Sequence, residues 1–187
     1  MYPKGFKQYA AVAVATGQRP NHALARYAAR YRFAGQIEGL ELHGYSSTSQ
    51  NVYTRVLRLS LAYSAYESLC SYLHPRQLPV KDHKMAQILK SSRLRKLRGY
   101  LLAESDKSLS NELERFFGAP GDNNLMPVIR ALRHSMFHGQ FTPSGAGLTS
   151  KYAQEVLEQI EHKFFQVMEL ASAKAFMELS ATATPKR

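Results

Sequence analysis

The chain has 187 residues, 44% of them hydrophobic, and 25 Lys and Arg stand against 14 Asp and Glu for a formal net charge of +11. That length suits one domain with a sizeable core, and that composition is not the composition of a disordered chain. A single cysteine, Cys70, excludes an internal disulfide and a cluster of thiolate ligands.

In chain order, residues 1–20 read as a loosely ordered arm with a small helical turn, closed by Gly17-Gln18-Arg19-Pro20. The small-residue run Ala10 to Ala15 is too short for the core of a signal peptide, and no stretch approaches a membrane span, so a cytoplasmic location is expected. Asn21 is placed to cap a helix from about His22 towards Leu42, weakened by Gly35 and Gly39. Gly44 to Thr48 is a break. From Ser49, the residues Val52, Val56, Leu59, Tyr63, Tyr66, Leu69 and Leu73 recur at three- and four-residue steps and predict one amphipathic helix, ended by His74-Pro75.

A Pro-containing loop precedes a basic helix over Asp82 to Tyr100, with Met85, Ile88, Leu89, Leu94, Leu97 and Leu101 inward. A shorter helix follows from Ser108 to Phe117, then the turn Gly118 to Asp122. Asp122 or Asn123 is placed to cap a further helix that runs to His138 and is stopped by Gly139. Beyond the loop Thr142 to Gly147, the positions Tyr152, Val156, Ile160, Phe164, Val167 and Ala171 mark a long amphipathic helix over Thr149 to Leu179, and Ala181 to Arg187 form a frayed tail. No strand alternation and no repeat is visible. The expectation is all-α: one domain over 1–187, an up-and-down bundle with an additional N-terminal helix and a long C-terminal helix.

A field of positive sign attracts polyanions and makes non-specific, salt-sensitive nucleic-acid binding the expectation, although it serves solubility equally well. Lys90, Arg93, Arg95, Lys96 and Arg98 crowd one segment and Arg19, Arg26, Arg30 and Arg32 another. Both are candidate phosphate contacts or solvated helix faces.

The segment richest in chemistry is Arg133-His134-Ser135-Met136-Phe137-His138-Gly139. RNA is cut without metal when its own 2′-hydroxyl attacks the adjacent phosphate. The protein then supplies a base, an acid and positive charge. A histidine side chain can move protons at neutral pH, so His138 is a candidate base or acid. Arg133 carries a permanent, planar fork of donors that matches a phosphate and stabilises charge growing in the transition state. The alternative is a helix end merely decorated by the two residues. Residues five apart on an ideal helix point roughly 140° apart around the axis. Convergence therefore needs long side chains, a widened turn before Gly139, or a second copy of the chain.

Three neighbours are candidates for supporting roles. Glu67, beside Tyr63 and Tyr66, is either a hydrogen-bonding orienter of Arg133 or His138, or a surface glutamate. Arg130, one turn before Arg133, either holds a second phosphate or pairs with Glu67 or Asp122. His134 stands four before His138, the spacing of a zinc site. The Glu that follows the first His in zinc peptidases is missing, and His162 and Glu161 are the only further ligand candidates from the last helix. No metal and no cofactor is expected.

The motif and its helical surroundings resemble the HEPN superfamily of small helical ribonucleases and nucleotide-binding domains. The family's signature is an arginine, a polar residue, a few further positions and a histidine, often followed by glycine, here Arg133, His134, Ser135 to Phe137, His138 and Gly139. The resemblance extends to the helix before the motif (Asn123 to Leu132), the Ser49 to Leu73 helix and the Thr149 to Leu179 helix. It makes 46–180 a HEPN-like core and leaves 1–45 as an N-terminal extension of unknown role. It implies a metal-independent endoribonuclease that leaves a 2′,3′-cyclic phosphate, paired as a homodimer with a shared cleft, with an acidic residue such as Glu67 on an earlier helix. It also implies service as a toxin or defence nuclease, with an antitoxin or regulatory protein as partner. The rival readings are a non-catalytic HEPN-like module that binds RNA, nucleotides or a protein, and a plain helical scaffold with a basic surface.

Overall fold

The helices follow the apolar spacing of the sequence in a computed structural model that describes residues 2–73 and 78–183. In chain order these are α1 (Phe6–Ala15), α2 (His22–Gln36), α3 (Ser47–Leu73), α4 (His83–Lys90), a 3-10 turn at Ser92–Leu94, α5 (Arg95–Ala103), α6 (Lys107–Gly118), α7 (Met126–Phe137) and α8 (Lys151–Ala183). Among the described residues the only β-type pairing is one antiparallel bridge between Lys81 and Asn124. The fold is an all-α bundle. None of the described helices is long and apolar enough to cross a membrane.

α3 is the central element. Its 27 residues pack against α2, α7 and α8, and its stripe Val52, Val56, Leu59, Tyr63, Tyr66 and Leu69 is buried. α2 is capped as expected, with the Asn21 carboxamide oxygen accepting from the Ala23 and Leu24 amides. It ends at Gln36 rather than near Leu42. Ile37 is extended, and the Thr54 hydroxyl takes the Leu40 amide 3.0 Å away, which ties the departing chain to α3.

The first twenty residues depart from expectation. They hold a ten-residue helix, not an arm with a single turn. Alanine is the best helix former, and Phe6, Tyr9 and Ala13 put an apolar edge on one face. The Phe6 and Tyr9 rings each lie 5.5 Å from Phe176 of α8, and the Tyr9 hydroxyl accepts from the Asn21 amide at 2.8 Å. Gly5, at φ 83°, permits the entry: its α-carbon faces the Phe176 Cβ so closely that an added Cβ would sit 3.3 Å away.

The expected helix over Asp82 to Tyr100 is two helices. Asp82 caps α4 through the Met85 amide, but Ser91 is extended (ψ 158°) and the chain re-enters helix only after Leu94. The break changes the phase so that Met85 and Leu89 on one side and Leu94, Leu97 and Leu101 on the other all reach the core, while Ile88 is half-buried. α7 begins at Met126, later than an Asp122 or Asn123 cap would place it. The Leu125 amide is taken by the Val80 carbonyl and the Asn123 carbonyl by the Asp82 amide, on either side of the Lys81–Asn124 bridge, which keeps the helix from starting earlier. Asn124 instead reaches the Met126 amide at 3.3 Å. The long last helix reaches Ala183, so the start of the expected frayed tail is helical. The predicted stop at His74-Pro75 and residues 184–187 lie outside the described residues.

Glu161 is the charged side chain buried deepest among the described residues, 4% exposed on α8. It lies 3.1 Å from Arg55 and 2.9 Å from Arg58, both on α3, and Arg55 also reaches Glu158 at 3.1 Å. Burial pushes the carboxyl up, and Arg58 and Arg55 pull it back in part. Removing one partner of a buried pair is costly because the remaining charges lose their counter-ion. Both arginines keep partial water contact, so Glu161→Ala is expected to cost about 3 kcal/mol, at the low end of that range. This corresponds to a fall in Tm of roughly 6–12 °C by thermal circular dichroism. Glu158→Ala, at an exposed carboxylate, is expected to cost less than about 1 kcal/mol. Equal losses for the two would show that Glu161 is no anchor.

Candidate functional site

The C-terminal end of α7 is built by a Schellman closure. Gly139 takes φ 70°, its amide bonds the Met136 carbonyl at 3.4 Å, and the Gln140 amide bonds the Ser135 carbonyl at 3.0 Å. His138 is the C-cap, and its amide bonds the His134 carbonyl at 3.0 Å. Two tyrosines pin the chain beyond: the Tyr100 hydroxyl donates to the Gln140 carbonyl at 2.8 Å and Tyr53 to that of Phe141 at 3.2 Å. The end of the motif helix is thus fixed from inside and from α3 and α5.

Arg130, Arg133, His134, Phe137 and His138 of α7 line one cleft of about 330 Å³ with Asp106 and Leu109 at the start of α6. Arg133 and His138 therefore share a cleft within one chain. They do so although residues five apart on an ideal helix point apart around its axis. The His134 and His138 rings are 4.2 Å apart between centroids, tilted by 40°. Among the described residues, no group of three or more His, Cys, Asp or Glu is placed to hold a metal ion.

Arg133 is held loosely. Its Nη2 donates to the Glu67 carboxylate of α3 at 3.4 Å, a long bond between half-exposed groups. Its guanidinium carbon lies 4.9 Å from the Tyr63 ring centroid and 5.8 Å from that of Phe137, and its Nε is buried without an acceptor. Arg130 differs: it pairs with Glu112 of α6 at 2.6 Å, not with Glu67 or Asp122. Tyr63 lies beneath Arg133. Burial raises its phenol pKa, and Arg130 and Arg133 pull it partly back.

Asp106, Leu109 and Phe137 are the cleft residues to which sequence reasoning gave no role. Asp106 carries a readable signal as the N-cap of α6, its carboxylate accepting from the Leu109 amide at 2.9 Å. Its place opposite α7 follows only from the packing of α6 on α7. Most of the basic clusters have structural occupations. Lys90 donates to the Ala119 and Asp122 carbonyls, Arg93 lies over Tyr152, Arg98 over Phe117, Arg30 bonds Ser64 and Ser68, and Arg32 bonds Tyr2 and Gln36. The sequence matches no protein-family model and no curated protein, and the fold matches no solved structure.

The Asp106 carboxyl is held below its usual pKa, chiefly by the Leu109 amide, with the Ser108 amide and then His134 and Arg130 adding to it. A depressed folded-state pKa stabilises the fold above the unfolded pKa, and that contribution disappears as pH falls through the folded one. Asp106→Ala is therefore expected to lower Tm at neutral pH, with the gap to the parent closing in acid below the ordinary carboxylate range. A gap that stays constant from neutral to acid would refute the charged cap.

Proposed function

We propose that the protein is a metal-independent endoribonuclease of HEPN type, with the α7–α6 cleft as its active site. The observation that carries this reading is the gathering of Arg133, His134 and His138 around one cleft. His138 takes the proton of the RNA 2′-hydroxyl as the 2′-oxygen bonds to phosphorus. The bond from phosphorus to the 5′-oxygen breaks, and His134, ring to ring with His138, hands a proton to the departing oxygen. Arg133 faces the charge that grows on the non-bridging oxygens. Its loose ion pair with Glu67 is exchangeable for a phosphate at little cost. Arg130, neutralised by Glu112, is a positioning residue and a weaker phosphate ligand. Glu67 orients Arg133 through their contact. The products are a 2′,3′-cyclic phosphate and a 5′-hydroxyl. The net charge of +11 draws RNA to this surface.

Pairing of two copies into a shared cleft belongs to the same proposal. It would bring a second set of α7 cations to the RNA without being required for the chemistry of one cleft. A role as a toxin or defence nuclease, with an antitoxin as partner, follows from the resemblance and is proposed on that ground alone.

The test is incubation of the purified protein with labelled mixed-sequence RNA in EDTA, beside His138→Ala and Arg133→Ala, with the product ends identified. The parent is expected to cleave and leave cyclic-phosphate ends, and each substitution to slow cleavage by roughly 10²–10⁴-fold, the range for loss of a proton-transfer or charge-stabilising group. Cleavage that persists unchanged in both variants would move the activity away from this cleft. Affinity for RNA without turnover by the parent would leave a binding module.

A further inference from the structure

Phe137 is exposed to 55% at the last position of α7, between His134 and His138 in the chain. Leaving more than half of a ring of that size in water forgoes part of the free energy that its burial would supply. Val14, Phe33, Tyr45, Leu170 and Met177 are also exposed among the described residues, but Phe137 is the one that lines the motif cleft. The guanidinium carbon of Arg133 lies 5.8 Å from its centroid, so a cation and an open aromatic ring stand together. Apart from the Asp106 carboxylate, the charged side chains that line the cleft are the cations Arg130 and Arg133, with two imidazoles beside them. An aromatic ring flanked by cations is the pairing by which proteins hold single strands: the cations take the phosphates, and the ring takes the face of a base.

We infer that Phe137 is the platform on which the base next to the scissile phosphate stacks, so that the site accepts unpaired RNA and rejects duplex. The inference rests on the ribonuclease reading and names the substrate class of its cleft. In a duplex both faces of each base are already covered by neighbours, and a base reaches the ring only after it has been unstacked.

The probe is a short fluorescein-labelled oligoribonucleotide, 2′-O-methylated throughout. Its nucleophile is blocked, so the intact protein can be used without turnover. Affinities of the parent, Phe137→Ala and Phe137→Tyr are measured for this strand alone and annealed to its complement. The folded state of each variant is checked by thermal melting, and its association state by sedimentation. Phe137→Ala is expected to weaken single-strand binding by about 5- to 150-fold, the loss of one base–aromatic stack, and Phe137→Tyr to bind like the parent. The duplex is expected to bind weakly to all three. Equal affinity of parent and Phe137→Ala for the single strand would overturn the proposal, as would parent binding of duplex as tight as of single strand. A parent dimer that Phe137→Ala dissociates, with single-strand affinity unchanged, would make the ring a contact between copies instead. Cleavage of ordinary RNA is scored separately: if it depends on His138 while Phe137→Ala binds normally, the platform fails and the nuclease stands. If the stack is found without cleavage, the nuclease fails and the cleft is a single-strand binding site.

Discussion

The constraint on which this bundle depends is the buried seam between α3 and α8, where one carboxylate faces two guanidiniums across the core. Glu161 gains little net free energy from being there, because the desolvation of a buried ion pair offsets most of its attraction. What the seam supplies is register. A one-turn slide of α8 along α3 would strand three charges, whereas the apolar contacts on either side could repack. With α8 fixed, Phe164 lies against Tyr63 and Tyr66, their rings 6.3 and 5.5 Å away. Tyr63 then presents its ring to Arg133. The position of Arg133 is thus referred, through one tyrosine, to an ion pair elsewhere on α3.

How far the sequence could be read depends on the range of the interactions involved. α3 and α8 were legible because their apolar stripes persist over many turns, and a long period survives errors of phase. The Gly139 stop was legible because a left-handed residue after a helix is a local demand. The break at Ser91 was not, since no proline or glycine marks it and its cause is the joint burial of Leu89 and Leu94 by other helices. The late start of α7 was hidden for a similar reason: the bridge from Val80 and Asp82 to residues 123–125 is a long-range contact that competes with local capping. α1 was missed because an alanine-rich run carries little pattern of its own. Its register comes from Phe176, far along the chain.

The same division applies to the site. Arg133, His134 and His138 stand on one stretch of chain, and their presence together needed only the motif. Their convergence did not follow from it, because an ideal helix sends Arg133 and His138 apart. What the structure adds is that both line one cleft, with Asp106 and Leu109 of the neighbouring helix opposite. Glu67 was a candidate orienter, and the structure brings it to Arg133 but not to the cleft lining. Arg130 found a partner, Glu112, that no spacing argument linked to it. Asp106 and Phe137 lie at the ends of two helices whose mutual packing sets the shape of the cleft.

The contrast between the two arginines bears on the proposed mechanism. A guanidinium in a short, well-formed pair such as Arg130–Glu112 is already neutralised, and a phosphate must displace the carboxylate before it gains anything. Arg133 is treated differently. Two aromatic rings orient its guanidinium without cancelling its charge, and its one carboxylate contact is long and open to water. Stabilising a transition state requires charge that is fixed in direction beforehand and free to respond when the phosphate becomes more negative. Rings satisfy both conditions better than a tight counter-ion does, because they restrict the plane of the fork while leaving its donors unspent. Tyr63 therefore matters to the site for what it leaves unpaired, and the Nε of Arg133, buried with no acceptor, is the atom at which that arrangement is visible.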